Sequence, residues 1–239
     1  MSNSRRNATL LPSNNLGVFI MSRPGFYKGN DDGIYFFGSN FATGGNGRCA
    51  WFGLNERAGW ANVFFGNWIL DGQVIRGMRG DWCDVPWSNF LGSGQISLQF
   101  QHLGRRSMWV RTSVSGGFGG SQWSDMRNPP AFPTLPRGKR DFDERLISGV
   151  WQTDTEALYY IRELPSGQIF WFAVRPDLSA THVARGVRRG NMVSITWLDI
   201  PPGNVRGEGN LSLRLLSPGI MEKENSTASF GSSRWVRLT

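Results

Sequence analysis

Cysteine and histidine, which build most metal sites and many catalytic centres, are scarce in this chain. It has 2 of each in 239 residues, without any C-x-x-C, H-x-E or paired-histidine spacing. Since zinc sites depend on such spacings, we expect no metal and no cofactor. No apolar run reaches the roughly 18 to 20 residues of a membrane span, and the first 15 residues lack signal-peptide features. We therefore expect no membrane span and a cytoplasmic protein, with non-classical release left open.

Acidic residues are also in deficit, and the net charge is +8. Residues 1–140 carry 15 Lys and Arg against 7 Asp and Glu, whereas residues 141–239 carry 11 of each. A nucleic-acid site built into both halves of a repeated chain should leave its charge in both. Nucleic acid is therefore not the expected partner, and the excess charge is interpreted as a solvated surface.

The chain does contain a motif that occurs twice. Trp82-Cys83-Asp84-Val85-Pro86 is repeated as Trp197-Leu198-Asp199-Ile200-Pro201, and both copies continue with five residues, G-x-G and an alternating strand. The separation stays at 115 residues from the first Trp through the G-x-G glycines. We interpret the copies as equivalent places in two tandem units.

Composition and turn spacing predict an all-β fold for both units. The chain has 31 Gly, 16 Phe and 11 Trp, and each half divides into about eight short strands without a helical period. Sequential hairpins favour two tandem, small, antiparallel up-and-down β-barrels. We predict a disordered tail at 1–16, barrels at 17–124 and 147–239, and a Pro-rich linker at 125–146. Because each unit repeats every core motif, we expect the second to fold alone.

The motifs run in the order YY-I-R, F-W-F, W-x-D-[VI]-P, G-x-G and F-G-x-S-x-W, of which the first two are complete only in the second half. This order resembles a single-barrel repeat of bacterial proteins with avidin-like or lipocalin-like shape, over about 100 residues of each half. The resemblance implies the barrel fold and no particular reaction. The first unit departs from the pattern at Phe36 to Gly38, where Tyr160 to Arg162 stand in the second.

The two cysteines, Cys49 and Cys83, align with Ile169 and Leu198 of the second unit. Since these counterparts are apolar, we expect two buried free thiols and no disulfide.

Catalytic constellations have little support from the sequence. The two histidines do not align with each other, and His182 aligns with Asn62 of the first unit. Asp84 and Asp199 could act as acid-base groups, yet a strand-end Asp that accepts bonds from backbone amides is the favoured interpretation.

The repeated aromatic residues are the candidate binding groups. They are interpreted either as core filling or as a surface that stacks on sugars or flat apolar ligands. The strand containing Trp82 places Cys83 and Val85 on one face and Trp82 and Asp84 on the other, which favours an outward-facing binding surface. The candidate ligand-binding residues are Trp82, Asp84, Trp197, Asp199, Tyr35, Tyr159, Trp123, Trp235 and Trp60, the last without an aromatic counterpart.

The sequence favours a non-catalytic binding protein for a carbohydrate or another small amphipathic ligand, with Trp and Asp surfaces in both barrels. One alternative is a barrel enzyme of the cyclase or isomerase type, which holds a hydrophobic substrate in its cavity. Another is a structural or assembly module that binds protein. A small molecule or glycan is the expected ligand, and a homo-oligomer is left open.

Overall fold

The computed structural model describes residues 25–40, 47–72, 74–103, 106–128, 131–136 and 147–238. The predicted tail lies outside the described residues, as do residues 137–146 of the predicted linker.

The described residues form two antiparallel barrels of eight strands each, which confirms the predicted all-β fold. The strands of the first barrel are β1 (Gly25–Gly29), β2 (Ile34–Asn40), β3 (Arg48–Asn55), β4 (Trp60–Asp71), β5 (Val74–Asp84), β6 (Ser93–Leu103), β7 (Arg106–Val114) and β8 (Gln122–Asp125). Those of the second are β9 (Gly149–Thr153), β10 (Leu158–Glu163), β11 (Gln168–Val174), β12 (Thr181–Arg189), β13 (Met192–Asp199), β14 (Glu208–Ser217), β15 (Ile220–Ser226) and β16 (Arg234–Arg237).

Both barrels have the same topology. Each strand pairs with the strands before and after it, and the first and last strands of each barrel close the sheet. In the first barrel Gly29 of β1 pairs with Trp123 of β8, and in the second Thr153 of β9 pairs with Trp235 of β16. The W-x-D motif ends β5 and β13, which are therefore equivalent strands.

The interior of each barrel is filled by side chains that alternate along the strands. Large aromatic rings dominate both interiors, because eight strands enclose a space that a few bulky side chains can fill. The first interior contains Trp51, Trp82, Trp109 and Trp123, and the second contains Trp151, Trp171, Trp197 and Trp235. The predicted alternate leucines, Leu98 and Leu213, lie in the same two clusters.

A third apolar core lies between the barrels and is formed by their outer faces. It joins side chains of β2 to β5 with side chains of β9 to β13. At its centre Phe52 of β3 stacks on Phe172 of β11, with ring centroids 3.8 Å apart and planes 7° from parallel. These two residues are equivalent in the repeat. A contact between equivalent residues lies on a two-fold axis, so a pseudo-two-fold axis relates the two barrels.

Polar contacts and part of the linker strengthen this interface. Arg185 of the second barrel pairs with Asp81 of the first at 2.6 Å, and Arg48 pairs with Glu208 at 3.3 Å. Phe132 of the linker packs against the rings of the shared core. The two barrels therefore share one of the three cores of the molecule, which the sequence interpretation of self-sufficient units did not include.

The two cysteines are free and buried, as predicted from their apolar counterparts. Cys49 lies inside the first barrel, whereas Cys83 lies in the shared core beside Leu198 of the second barrel. Burial raises the pKa of the Cys49 thiol well above its ordinary value and that of Cys83 to about 12. Both thiols are therefore protonated near neutral pH.

Candidate functional site

The repeated tryptophans lie inside the barrels and do not form an outer surface. Trp82 is 3% exposed and Trp197 is 5% exposed. Trp82 belongs to the same interior cluster as Leu98, so the interpretation of Trp82 as part of an outward-facing surface is wrong. The error has a physical cause. Cys83, on the other face of β5, is covered by the second barrel, so both faces of this strand are buried.

Each barrel has a pocket at the end where the W-x-D strand terminates. Four connections surround this end of the first barrel, those between β1 and β2, β3 and β4, β5 and β6, and β7 and β8. The equivalent four connections surround the same end of the second barrel. Loops at one end of a barrel are a common place for ligand sites, because the barrel holds them in fixed positions.

The pocket of the first barrel has a volume of about 380 Å³. Its lining includes Asp31, Trp60, Asn62, Trp82, Asp84 and Phe118. Phe90 and Leu91, which are 54% and 57% exposed, form part of its apolar rim. Trp60, which has no aromatic counterpart in the second unit, lines the pocket, and its ring centroid lies 5.9 Å from that of Tyr35.

The pocket of the second barrel is smaller, with a volume of about 200 Å³. Its lining includes Tyr159, His182, Trp197, Asp199, Phe230 and Ser232. The two pockets share a set of equivalent positions. Asn62 of β4 stands opposite Asp84 in the strand register, and His182 of β12 stands opposite Asp199.

Other predicted site residues lie below the pockets. Trp123 meets Tyr35 edge to face at 5.7 Å, and Trp235 meets Tyr159 in the same way at 5.6 Å. Trp123 and Trp235 do not line the two pockets, but they form the aromatic floor against which the lining side chains pack. For these two residues, core filling is the interpretation that their positions support.

The G-x-G glycines make room for the tryptophan ring at the pocket mouth. A Cβ atom on Gly92 would lie 2.6 Å from the ring of Trp82, and one on Gly94 would lie 2.3 Å from the Ser115 carbonyl oxygen. Neither distance is compatible with a larger residue unless the loop moves. The motif thus holds the β5–β6 connection close to Trp82.

In the first barrel both the Trp and the Asp side chain of the W-x-D motif make local hydrogen bonds. The Trp82 Nε1 donates to the Ser115 carbonyl at 2.9 Å, and the Gly92 amide donates to Asp84 Oδ2 at 2.6 Å. Burial raises the pKa of Asp84 to about 6, although the Gly92 hydrogen bond and the charge of Arg162 oppose this shift. Asp84 therefore acts as the strand-end acceptor that the sequence interpretation favoured.

Two further polar contacts lie in or next to this pocket. Trp51 Nε1 donates to Asn62 Oδ1 at 3.0 Å, and the Tyr35 hydroxyl donates to Asp31 Oδ2 at 2.6 Å. Burial, and then the negative charge of Asp31, raise the pKa of Tyr35 well above its ordinary value. The phenol therefore remains a hydrogen-bond donor.

The second barrel differs, because three polar atoms of its pocket lack a partner among the described residues. They are Trp197 Nε1, His182 Nε2 and Asp199 Oδ2. Burial lowers the pKa of His182 to about 3, so its imidazole is neutral near pH 7. Burial also raises the pKa of Asp199 to about 6, against the charge of Arg206 and the nearby Gly207 amide. The Gly207 amide affects the carboxylate without making a hydrogen bond to Oδ2.

Arg162 of the second barrel acts on the pocket of the first. Its guanidinium donates to the carbonyl oxygens of Asp84 at 3.1 Å, Leu91 at 2.6 Å and Gly92 at 3.3 Å. Because three carbonyls of the β5–β6 connection converge on one charged side chain, Arg162 fixes the mouth of the first pocket.

The equivalent contact, from the first barrel to the second, has no side chain to make it. Gly38 is the counterpart of Arg162, and a Cβ atom there would lie 2.5 Å from the Asp199 carbonyl oxygen. The sequence difference between Arg162 and Gly38 therefore acts on the barrel to which the residue does not itself belong. At the mouth of the second pocket the β13–β14 connection is held instead by its own Arg206, whose guanidinium donates to the carbonyl oxygens of Gly203 and Val205.

Sequence reasoning did not identify three candidate site residues, Asn62, His182 and Arg162. His182 was set aside because no histidine repeats, and its alignment with Asn62 was the signal that both lie across from the motif aspartates. Arg162 was recognised as a difference between units, but only the packing of the barrels reveals its contact with the other barrel.

Within the described ranges, no three His, Cys, Asp or Glu side chains cluster as metal ligands. No helix in the described part of the chain has the length and apolar character that a membrane crossing requires. Comparisons of the chain with protein-family models, with curated proteins and with solved structures found no match.

Proposed function

We propose that this chain is a non-catalytic binding protein for a carbohydrate or another small amphipathic ligand. The ligand enters the pockets at the equivalent ends of the two barrels. The observation that carries the proposal is that both pockets place an indole and a carboxylate, two residues apart on one strand, against the pocket wall. This arrangement is repeated although the remaining lining differs.

The chemistry of these walls suits a sugar. The apolar face of a sugar ring packs against aromatic side chains, and its hydroxyl groups donate to a carboxylate. Both aspartates have a pKa of about 6, so both are ionised acceptors near pH 7. Two weak sites on one chain would also increase the overall affinity for a ligand with repeated units.

One observation favours an enzyme as the second candidate. In the second pocket a carboxyl group with a raised pKa and a neutral imidazole stand on adjacent strands, which is a typical arrangement for proton transfer. Turnover of a compound that binds in this pocket would support this candidate over simple binding.

A glycan array probed with the full-length protein tests the proposed function. Replacement of the buried tryptophans would disturb the core, so the variants are the nearly isosteric Asp84→Asn and Asp199→Asn, alone and together. Asp71→Asn, at an exposed position of the first barrel, is the matched control. We expect the double variant to lose at least about tenfold in affinity while the control keeps it. Absence of any bound glycan, or equal binding by the double variant, would refute the proposal.

A further inference from the structure

The two pockets have the same plan but different hydrogen-bonding states. In the first, Trp82 Nε1 and Asp84 Oδ2 are used by the backbone of the surrounding loops. In the second, the equivalent atoms of Trp197 and Asp199 have no partner among the described residues. The side chains of these atoms line the pocket, although the atoms themselves are covered by their neighbours. Since buried polar groups are normally paired, a ligand that enters the pocket can supply the missing partners once these side chains turn towards it.

His182 adds a third such atom. It is 8% exposed and lines the second pocket, and its Nε2 has no partner in the described part of the chain. The rings of Tyr159 and Phe230 lie 5.4 Å from the imidazole. These three atoms therefore belong to side chains that line one small pocket among aromatic rings. The indole nitrogens of Trp109, Trp123, Trp171 and Trp235, also without a partner among the described residues, belong to side chains that line neither end pocket.

We propose that the second barrel contains the principal ligand site of the chain, and that this site holds one neutral sugar ring through Trp197 Nε1, His182 Nε2 and Asp199 Oδ2. This inference rests on the proposed function and deepens it. The first pocket, whose equivalent groups already serve its own loops, is a weaker site or a structural one.

The chemistry of the three atoms selects a neutral ligand. An indole N–H requires an acceptor, a carboxylate requires a donor, and a neutral imidazole nitrogen accepts either role. A hydroxyl group can donate and accept, so a polyhydroxylated ring satisfies all three atoms at once. A quaternary ammonium group cannot accept from Trp197, and an anion would be repelled by the Asp199 carboxylate.

The volume of the second pocket limits the ligand to about one ring. At about 200 Å³ it lies below the range of roughly 300 to 1,000 Å³ that is typical of sites for drug-sized ligands. The first pocket is wider, with exposed apolar residues at its rim. Its greater volume would favour a larger, less polar ligand, so the two pockets predict different binding behaviour.

NMR titration of the full-length, ¹⁵N-labelled protein tests this inference, because each indole N–H gives its own signal. The signals of Trp197 and Trp82 are assigned with Trp197→Phe and Trp82→Phe. The probes are methyl glucoside, methyl galactoside, methyl mannoside and N-acetylglucosamine, each raised to about 20 mM, so that affinities as weak as millimolar are detected. We expect at least one of them to shift the Trp197 signal at a lower concentration than the Trp82 signal.

Two variants and a control identify the contacts. His182→Asn introduces the residue of the first barrel, and Asp199→Asn removes the charge with little change in shape. Each should raise the dissociation constant by about tenfold or more, because a buried hydrogen-bond partner is lost. Asp71→Asn, at the opposite end of β4 from the pocket residue Asn62, should leave the dissociation constant unchanged within about twofold.

The outcomes separate the two proposals. A sugar that shifts Trp82 first, or whose affinity does not respond to His182→Asn and Asp199→Asn, overturns this inference while the proposed function stands. No shift of either indole signal with any probe also overturns it. The glycan array then decides separately whether the proposed function survives with a larger ligand.

Discussion

The shared core between the barrels changes what we expect of the second barrel in isolation. Nine of its buried side chains belong to that core, with Phe172 at the centre. A fully buried apolar side chain contributes about 1.5 to 3 kcal/mol relative to an exposed one. Even at half that value, since the barrel itself still covers part of each residue, the loss is on the order of 10 kcal/mol. Whole domains are stable by only about 5 to 15 kcal/mol.

A fragment of residues 147–239 is therefore not expected to persist as a folded monomer. The pseudo-two-fold axis provides an alternative, because a face that packs on its own equivalent can pack on a second copy of itself. We expect the fragment to form a homodimer, with Phe172 of one copy stacked on Phe172 of the other. Its thermal unfolding should then depend on protein concentration.

Light scattering after size exclusion measures the mass of the fragment, and circular dichroism follows its unfolding. Phe172→Asp should abolish the dimer and leave the fragment unfolded or aggregated. Leu216→Asp, at a residue that is 52% exposed on the same barrel, is the control and should keep the dimer. A monomeric fragment that unfolds cooperatively at the same temperature as the full chain would refute the argument, and would restore the expectation of two self-sufficient units.

Two further predictions concern the full-length chain. Arg162→Met should lower the free energy of unfolding by about 2 kcal/mol, because three carbonyls lose a charged donor, and should raise the pKa of Asp84 further. Arg76→Met removes an exposed ion pair and should cost less than about 1 kcal/mol. Urea titrations compare the two variants, and equal effects would contradict the assigned role of Arg162. Cys49 and Cys83 should react slowly with a thiol reagent in the native protein and completely once it is unfolded, whereas rapid native labelling would show that burial does not protect them.

The strands and their order could be predicted from the sequence because turn signals and the internal repeat are local properties. Which face of β5 and β13 points into the barrel could not be predicted. In both strands the alternation is correct, with Trp82 and Cys83 on opposite sides, but alternation alone does not say which side is the interior. Alternation distinguishes the core face from the solvent face only if one face of the strand is exposed to water. Here the outer face meets the other barrel, so both sets of residues are buried.

The pocket was only partly predictable. The repeat identified the Trp and Asp pairs, since both occur in both units. The residue that pairs with the motif aspartate on the next strand is Asn62 in one barrel and His182 in the other. This pairing depends on the register between strands, and in the alignment of the two units the position appears only as a mismatch between Asn and His. The contact of Arg162 with the first barrel depends on how the barrels dock. That information is not local to either unit.

Closure of both sheets restricts how another protein could recognise this chain. Every described strand has a neighbour on each side, so neither barrel has an edge strand. A peptide cannot add itself as a further strand to such a sheet, and the same property removes the exposed edge along which many β proteins aggregate. A protein partner would have to bind through side chains, at the rims of the barrels or across their outer walls. Recognition of such a partner would then depend on side chains of the loops, rims and outer walls, with the backbone as their frame.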